Sequence, residues 1–118
     1  MFSIADKLEP PGIAVTVTGH LNSATAPELE QKLDALLKSE HAYLVIDLGE
    51  VPFVASAGLR VLLACAKKAK RANRGLALLG LQPQVLQVFE LAGMTRLFLI
   101  YPTADDAHAS LRKRSSAA

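Results

Sequence analysis

The stretch Val54-Ala55-Ser56-Ala57-Gly58-Leu59 joins an apolar run to an amphipathic one and carries a single hydroxyl, flanked by small side chains. Upstream, Tyr43-Leu44-Val45-Ile46-Asp47-Leu48 is short, apolar and rich in β-formers, with Gly49 and Pro52 as breakers, so a buried strand is predicted. Downstream, Leu59, Leu62, Leu63, Ala66 and Ala69 recur at spacings of three and four, and Lys67, Lys68, Lys70 and Arg71 crowd the end where the helix dipole favours cations. A helix from about Ala57 is predicted, with Ser56 at or beside its N-cap. There, free N–H groups and the positive end of the dipole favour a hydroxyl oxygen or an anion. Residue types alone also fit a plain helix cap in a loop kept small for packing.

Other chemistry is weakly supported. A nucleophile elbow reads Gly-x-Ser-x-Gly between a strand and a helix, and Ser56 with Gly58 matches its end, but β-branched Val54 stands where the first glycine belongs. A triad would need Asp105 or Asp106 with His108, which share one short helical segment and cannot easily orient one another. Asp105 and Asp106 instead suit the first turn of a helix. His20, His41 and His108 have no Cys or His partner at ligand spacing, so no metal site is expected. No phosphate-cradling glycine motif follows a strand, and Cys65, the single cysteine, lies within the apolar helical pattern as a buried thiol. No catalytic residue is assigned.

The elements that must position Ser56 follow from periodicity and punctuation. Phe2–Leu8 and Ile13–Thr18 are β-rich and separated by Pro10-Pro11-Gly12, which predicts an antiparallel pair. Thr25 and Glu28 have capping-box spacing around Pro27, and Leu29, Leu33, Leu36 and Leu37 form one stripe, giving a helix from about Pro27 to Ser39. After the central strand and the Ser56 helix, Gly75 precedes a strand at Leu76–Leu79. Pro83 opens a helix with Val85, Leu86, Phe89 and Leu91 as its face and Gly93 as its cap. Leu97–Ile100 makes a last strand, and Thr103 with Asp106 starts a helix to about Leu111. The order is ββαβαβαβα: an α/β domain with about five strands and four helices in a mixed, mostly parallel sheet.

The 118 residues suffice for one domain, read as 1–111 with a basic, disordered tail over 112–118. With 51% apolar and 20% charged residues the composition is that of a packed globular domain. No run approaches the roughly 18 apolar residues of a membrane span and no signal pattern opens the chain, so a cytoplasmic protein without membrane insertion is expected. The net charge of +2 gathers in Lys67–Arg74 and Arg112–Arg114, read as a solvated helix end and a frayed tail. With no recognition motif or stacking aromatics, nucleic acid is not the expected partner.

Leu44-Val45-Ile46-Asp47-Leu48, Phe53 and Ser56-Ala57-Gly58-Leu59 followed by Val61-Leu62-Leu63 together resemble the signature of STAS domains of the anti-sigma-factor antagonist type. Gly19-His20-Leu21-Asn22 before the Thr25 helix resembles the family's first strand-to-helix turn. Val88–Met94 with Leu97-Phe98 is similar to its third helix and last strand. The resemblance implies a non-enzymatic partner switch needing no cofactor. Its partners are an anti-sigma factor that is a serine kinase of the histidine-kinase-like ATPase fold, and a PPM-type serine phosphatase. It places phosphorylation at Ser56 and partner binding at Asn22, Ala55, Ser56, Ala57, Gly58, Leu59 and Arg60. The alternative it implies is an unphosphorylated STAS subunit docking on the ATPase of a phospholipid-transport ABC system. Many antagonists read Asp-Ser-Ser-Gly-Leu here; this chain has Ala55 for the Asp and Ala57 for the second Ser, and Asn22 where an Asp is frequent.

Overall fold

The computed structural model describes the backbone of residues 1–116 and the side chains of residues 1–114. Its elements are β1 (Ser3–Glu9), β2 (Gly12–Thr18), α1 (Ala26–Leu37), β3 (Tyr43–Glu50), α2 (Ser56–Arg71), β4 (Gly75–Leu79), α3 (Pro83–Leu91), a 3-10 turn (Thr95–Leu97), β5 (Leu99–Tyr101) and α4 (Ala104–Ser116). The strands lie in the sheet in chain order, with β1 antiparallel to β2 and every later neighbour parallel. The expected ββαβαβαβα order and mixed sheet are therefore observed.

Alternation along β3 divides the core. Leu44, Ile46 and Leu48 join Leu29 and Leu33 of α1, Leu62 of α2 and Phe89 of α3 in the larger cluster. Tyr43 and Val45 point the other way, where Ala77, Leu79 and the α4 residues Ala107 and Leu111 form a smaller cluster. Both faces of the central strand are covered, which is why its sequence is nearly continuous in apolar residues. Among the described residues no helix is long and apolar enough to cross a membrane.

The structure departs from the sequence expectations at several places. α4 continues past Leu111 to Ser116, so Arg112, Lys113 and Arg114 are helical rather than a disordered tail; residues 117–118 of that tail lie outside the described residues. Ala107 and Leu111, both buried, anchor the helix, and its cationic end complements the dipole. The run from Leu97 begins as a 3-10 turn, and the last strand is confined to Leu99–Tyr101. In α3, Val85 and Phe89 are buried but Leu91 is 81% exposed, because two residues beyond Phe89 the helix has turned away from the core. Gly93, at φ +69°, ends α3 as expected: its N–H bonds Glu90 O at 3.0 Å and Met94 N–H bonds Phe89 O at 2.9 Å, the two-bond Schellman closure.

Candidate functional site

The hydroxyl of Ser56 sits where the β2–α1 and β3–α2 loops are laced together at the C-terminal ends of two parallel strands. Gly19 N–H donates to Glu50 O at 3.0 Å, Leu21 N–H to Phe53 O at 2.9 Å, and Ala55 N–H to Leu21 O at 2.8 Å, with Leu21 and Val54 forming a parallel bridge. Leu21 is fully buried, and the first turn of α2 rests directly on it. A Cβ on Gly58 would lie 2.6 Å from Leu21 Cγ, so the close approach of helix to loop requires a glycine there. Gln82 Nε2 donates to Gly49 O at 2.9 Å, and the Asp47 carboxylate accepts Gly49 N–H at 2.8 Å, bracing the end of β3 from its other side.

On this frame α2 begins one residue earlier than the spacing predicts. Ala55, with φ −87° and ψ 171°, is the N-cap, and Ser56 is the first helical residue. Gly58 and Leu59 N–H both reach Ala55 O, at 2.9 and 3.1 Å. Ala55 offers no side-chain acceptor, and among the described residues the N–H groups of Ser56 and Ala57 and the Ser56 hydroxyl have no hydrogen-bond partner. Ser56 and Arg60 are exposed, and Ala55, Ala57 and Asn22 are half-buried. Gly58 and Leu59 are buried, so they can serve a partner only through the backbone they position.

Asn22 has structural work in its own loop. Its Oδ1 accepts Ala24 N–H at 2.9 Å and Thr25 N–H at 3.2 Å, an Asx turn that leads the chain into α1. The capping box expected from Thr25 and Glu28 does not form; Thr25 Oγ1 accepts Asn22 N–H at 2.9 Å and donates to His20 O at 2.8 Å. Its hydroxyl is spent on the loop before the helix rather than on the helix itself.

One feature beside Ser56 escapes the residue patterns. Phe53 is 49% exposed and its ring meets His20 at a centroid distance of 5.9 Å, making an aromatic shelf on the loop. Pro52 and Phe53 are both exposed between buried Val51 and Val54, so period-two alternation gives no signal that Phe53 faces outward. A cleft of about 420 Å³ adjoins it, lined in part by Phe2, His20, Asn22, Glu50 and Pro52. The histidine and acids that a hydrolytic triad would need are elsewhere: His108 is on α4, across the sheet from α2, with its Nδ1 3.1 Å from Tyr43 Oη. Asp105 and Asp106 occupy the first turn of α4, where Asp106 N–H donates to Thr103 Oγ1 at 3.2 Å. Cys65 is buried as expected, and burial, with the Asp34 charge second, pushes its thiol up to about 12.

The family model for the STAS domain matches residues 5–107. BtrV of Bordetella bronchiseptica is 36% identical over 107 residues, covering 91% of each chain. The crystal structure of an anti-sigma factor antagonist from Mycobacterium paratuberculosis superposes with a TM-score of 0.87 at 31% identity over 95% of both chains. The phosphorylated form of the Bacillus cell fate determinant SpoIIAA, at 15% identity, shares the fold with a TM-score of 0.71, covering 95% of this chain and 100% of that one. The chain belongs to the STAS domain family, and within it to the anti-sigma factor antagonist type.

Proposed function

We propose that the protein is a partner-switching antagonist in which phosphorylation of Ser56 controls binding to an anti-sigma factor, itself a serine kinase of the histidine-kinase-like ATPase fold. A PPM-type phosphatase restores the hydroxyl. The protein acts by binding and catalyses nothing. The observation that carries this reading is the exposed, unbonded Ser56 hydroxyl on the first residue of α2, between the small residues Ala55 and Ala57. A kinase active site can close on such a hydroxyl without displacing bulk, and the laced backbone presents it in one geometry. That a STAS fold exists in a phosphorylated form in Bacillus supports the same chemistry here.

Phosphate adds about −1.5 to −2 charges and three acceptor oxygens. On Ser56 this charge meets the positive end of α2 and the N–H groups of its first turn, so the antagonist's own fold tolerates it. The partner, packed against a small hydroxyl, would instead meet bulk and charge, and release follows. Asn22, Ala55, Ala57, the backbone at Gly58 and Leu59, and Arg60 complete the contact surface. The test is incubation with the cognate kinase and ATP followed by mass-spectrometric mapping. Phosphate on Ser56, absent from a Ser56→Ala control, is the expected result. An unmodified Ser56 with an active kinase would overturn the reading, and capture of an ABC-transporter ATPase by the unmodified protein would replace it with the transport-subunit role.

A further inference from the structure

Arg114, from the C-terminal basic group, meets the basic end of α2 at one end of the molecule. α2 delivers Lys67, Lys70 and Arg71 in its last turns, and the continuation of α4 to Ser116 brings Arg114 to the same place. Lys70, Arg74 and Arg114 line a cleft of about 440 Å³ whose apolar surface includes Leu97, Leu99 and Leu111. The same three cations border a second depression of about 310 Å³. Leu97 stands at the rim, 54% exposed.

Lys7 pairs with Glu9, Lys32 with Asp6, and Lys68 of α2 with Asp34. Among the described residues Lys67, Lys70, Arg71 and Arg114 form no ion pair, and neither do Glu40 and Glu90, the acids of the adjoining segments. Arg74 donates to the Ser39 carbonyl. Lys67, Lys70 and Arg71 stand at helical spacings of three and four, where like charges repel. Converging cations around an apolar hollow are relieved by a ligand that brings carboxylates and aliphatic groups together. A bilayer is too flat to fill the hollow, and nucleic acid stacks on exposed aromatics, whereas the aromatic in this cleft, Phe98, is 8% exposed.

We propose that this end is a second docking surface, which takes an acidic, leucine- or phenylalanine-bearing segment of a partner protein. α2 separates it from Ser56 by about 22 Å at 1.5 Å per residue, so both surfaces can be occupied together. The proposal stands independently of Ser56 phosphorylation.

The probe is a fluorescein-labelled peptide, Asp-Glu-Leu-Asp-Phe-Leu-Glu-Asp, titrated with the full chain by fluorescence anisotropy. Saturable binding is expected, weakened roughly tenfold when salt rises to about 0.3 M and roughly tenfold by Lys70→Glu with Arg114→Glu. Leu97→Ser should weaken it severalfold, and Ser56→Asp should leave it unchanged. Lys67→Glu with Arg71→Glu provides a second reversal should the first pair fail to fold. Absent binding, indifference to either charge reversal, or equal affinity for a peptide with serines in place of its apolar residues would overturn the proposal. So would sedimentation with phosphatidylserine vesicles, or binding of a single-stranded oligonucleotide, through the same cations without peptide binding.

Discussion

Replacing Gly58 with alanine adds one methyl group where α2 meets Leu21. The new Cβ would lie 2.6 Å from Leu21 Cγ, 2.9 Å from Cδ2 and 3.2 Å from the Leu21 carbonyl oxygen. Leu21 cannot retreat easily, because it is fully buried and its carbonyl holds Ala55 N–H at 2.8 Å. Inserting a methyl into a packed site costs about 1–3 kcal/mol, and better helix propensity returns at most about 1 kcal/mol. A net loss of about 1–2 kcal/mol follows, or roughly 4–10 °C in Tm for a domain of this size. Urea denaturation followed by circular dichroism would measure it, with an unchanged m-value expected. Leu21→Ala, itself costing about 2–5 kcal/mol, opens the space, so Gly58→Ala added to it should cost little or nothing. The coupling between the two sites should be about 1 kcal/mol or more. A Gly58→Ala protein as stable as wild type, or one equally destabilised in both backgrounds, would refute the steric account. Relief of the clash by a tilt of α2 would also displace Ser56, so partner affinity should fall even at temperatures where the variant is fully folded.

Ser56→Asp should weaken binding to the anti-sigma partner at least tenfold while changing stability by no more than about 0.5 kcal/mol, as read by calorimetric titration and thermal melts. Ala55→Asp should stabilise the chain by about 1 kcal/mol through a side-chain cap on α2, measured by urea denaturation. Cys65 supplies a pH prediction: its folded value of about 12 lies above the ordinary 9.0, so its contribution is fully present below pH 9 and is lost as pH rises toward 12. Between pH 9 and 10.5 the stability of the native chain should therefore fall by about 1.5 kcal/mol more than that of Cys65→Ala. Parallel slopes for the two proteins would show that the thiol is not protected by burial.

Much of this architecture is legible because apolar periodicity and breakers agree along the chain. Gly75 and Pro83 bracket β4 and the start of α3, and Pro10-Pro11-Gly12 separates β1 from β2. Expectations failed where a local signal was claimed by a different partner. Thr25 carries the right residue type and spacing for a capping box, but the bonds among His20, Asn22 and Thr25 form instead. Arg112-Lys113-Arg114 lacks apolar periodicity, so its helix is invisible until Leu111 is seen packing in the small cluster under α4. The loop carrying Ser56 stands out from punctuation alone, since a strand, a small-residue loop and an amphipathic helix are all local patterns, whereas its reading as a phosphorylation site rests on the family resemblance. The Leu21–Gly58 contact that fixes its position is not local, and only the fold brings those residues together.

Ala55 is one of two places where this loop departs from the Asp-Ser-Ser-Gly-Leu that many antagonists carry, and the structure gives that departure a physical meaning. An Asp at the N-cap would accept N–H bonds from the first turn and place a negative charge against the dipole. With alanine there, α2 has no capping side chain and no acid in its first turn, whereas α1 carries Glu28 and α4 carries Asp105 and Asp106. The Ser56 and Ala57 N–H groups are left without partners among the described residues, beside the hydroxyl proposed for modification. A phosphate on Ser56 would then supply the charge that the missing Asp does not, without competing against a neighbouring carboxylate. On that account Ala55→Asp, although it strengthens the helix, should weaken the stabilisation that phosphorylation brings. The stability of the unmodified helix and the stabilisation brought by the phosphate would move in opposite directions at this one position, because both draw on the same positive end of α2, while release of the partner, set by bulk and charge at the contact, would persist.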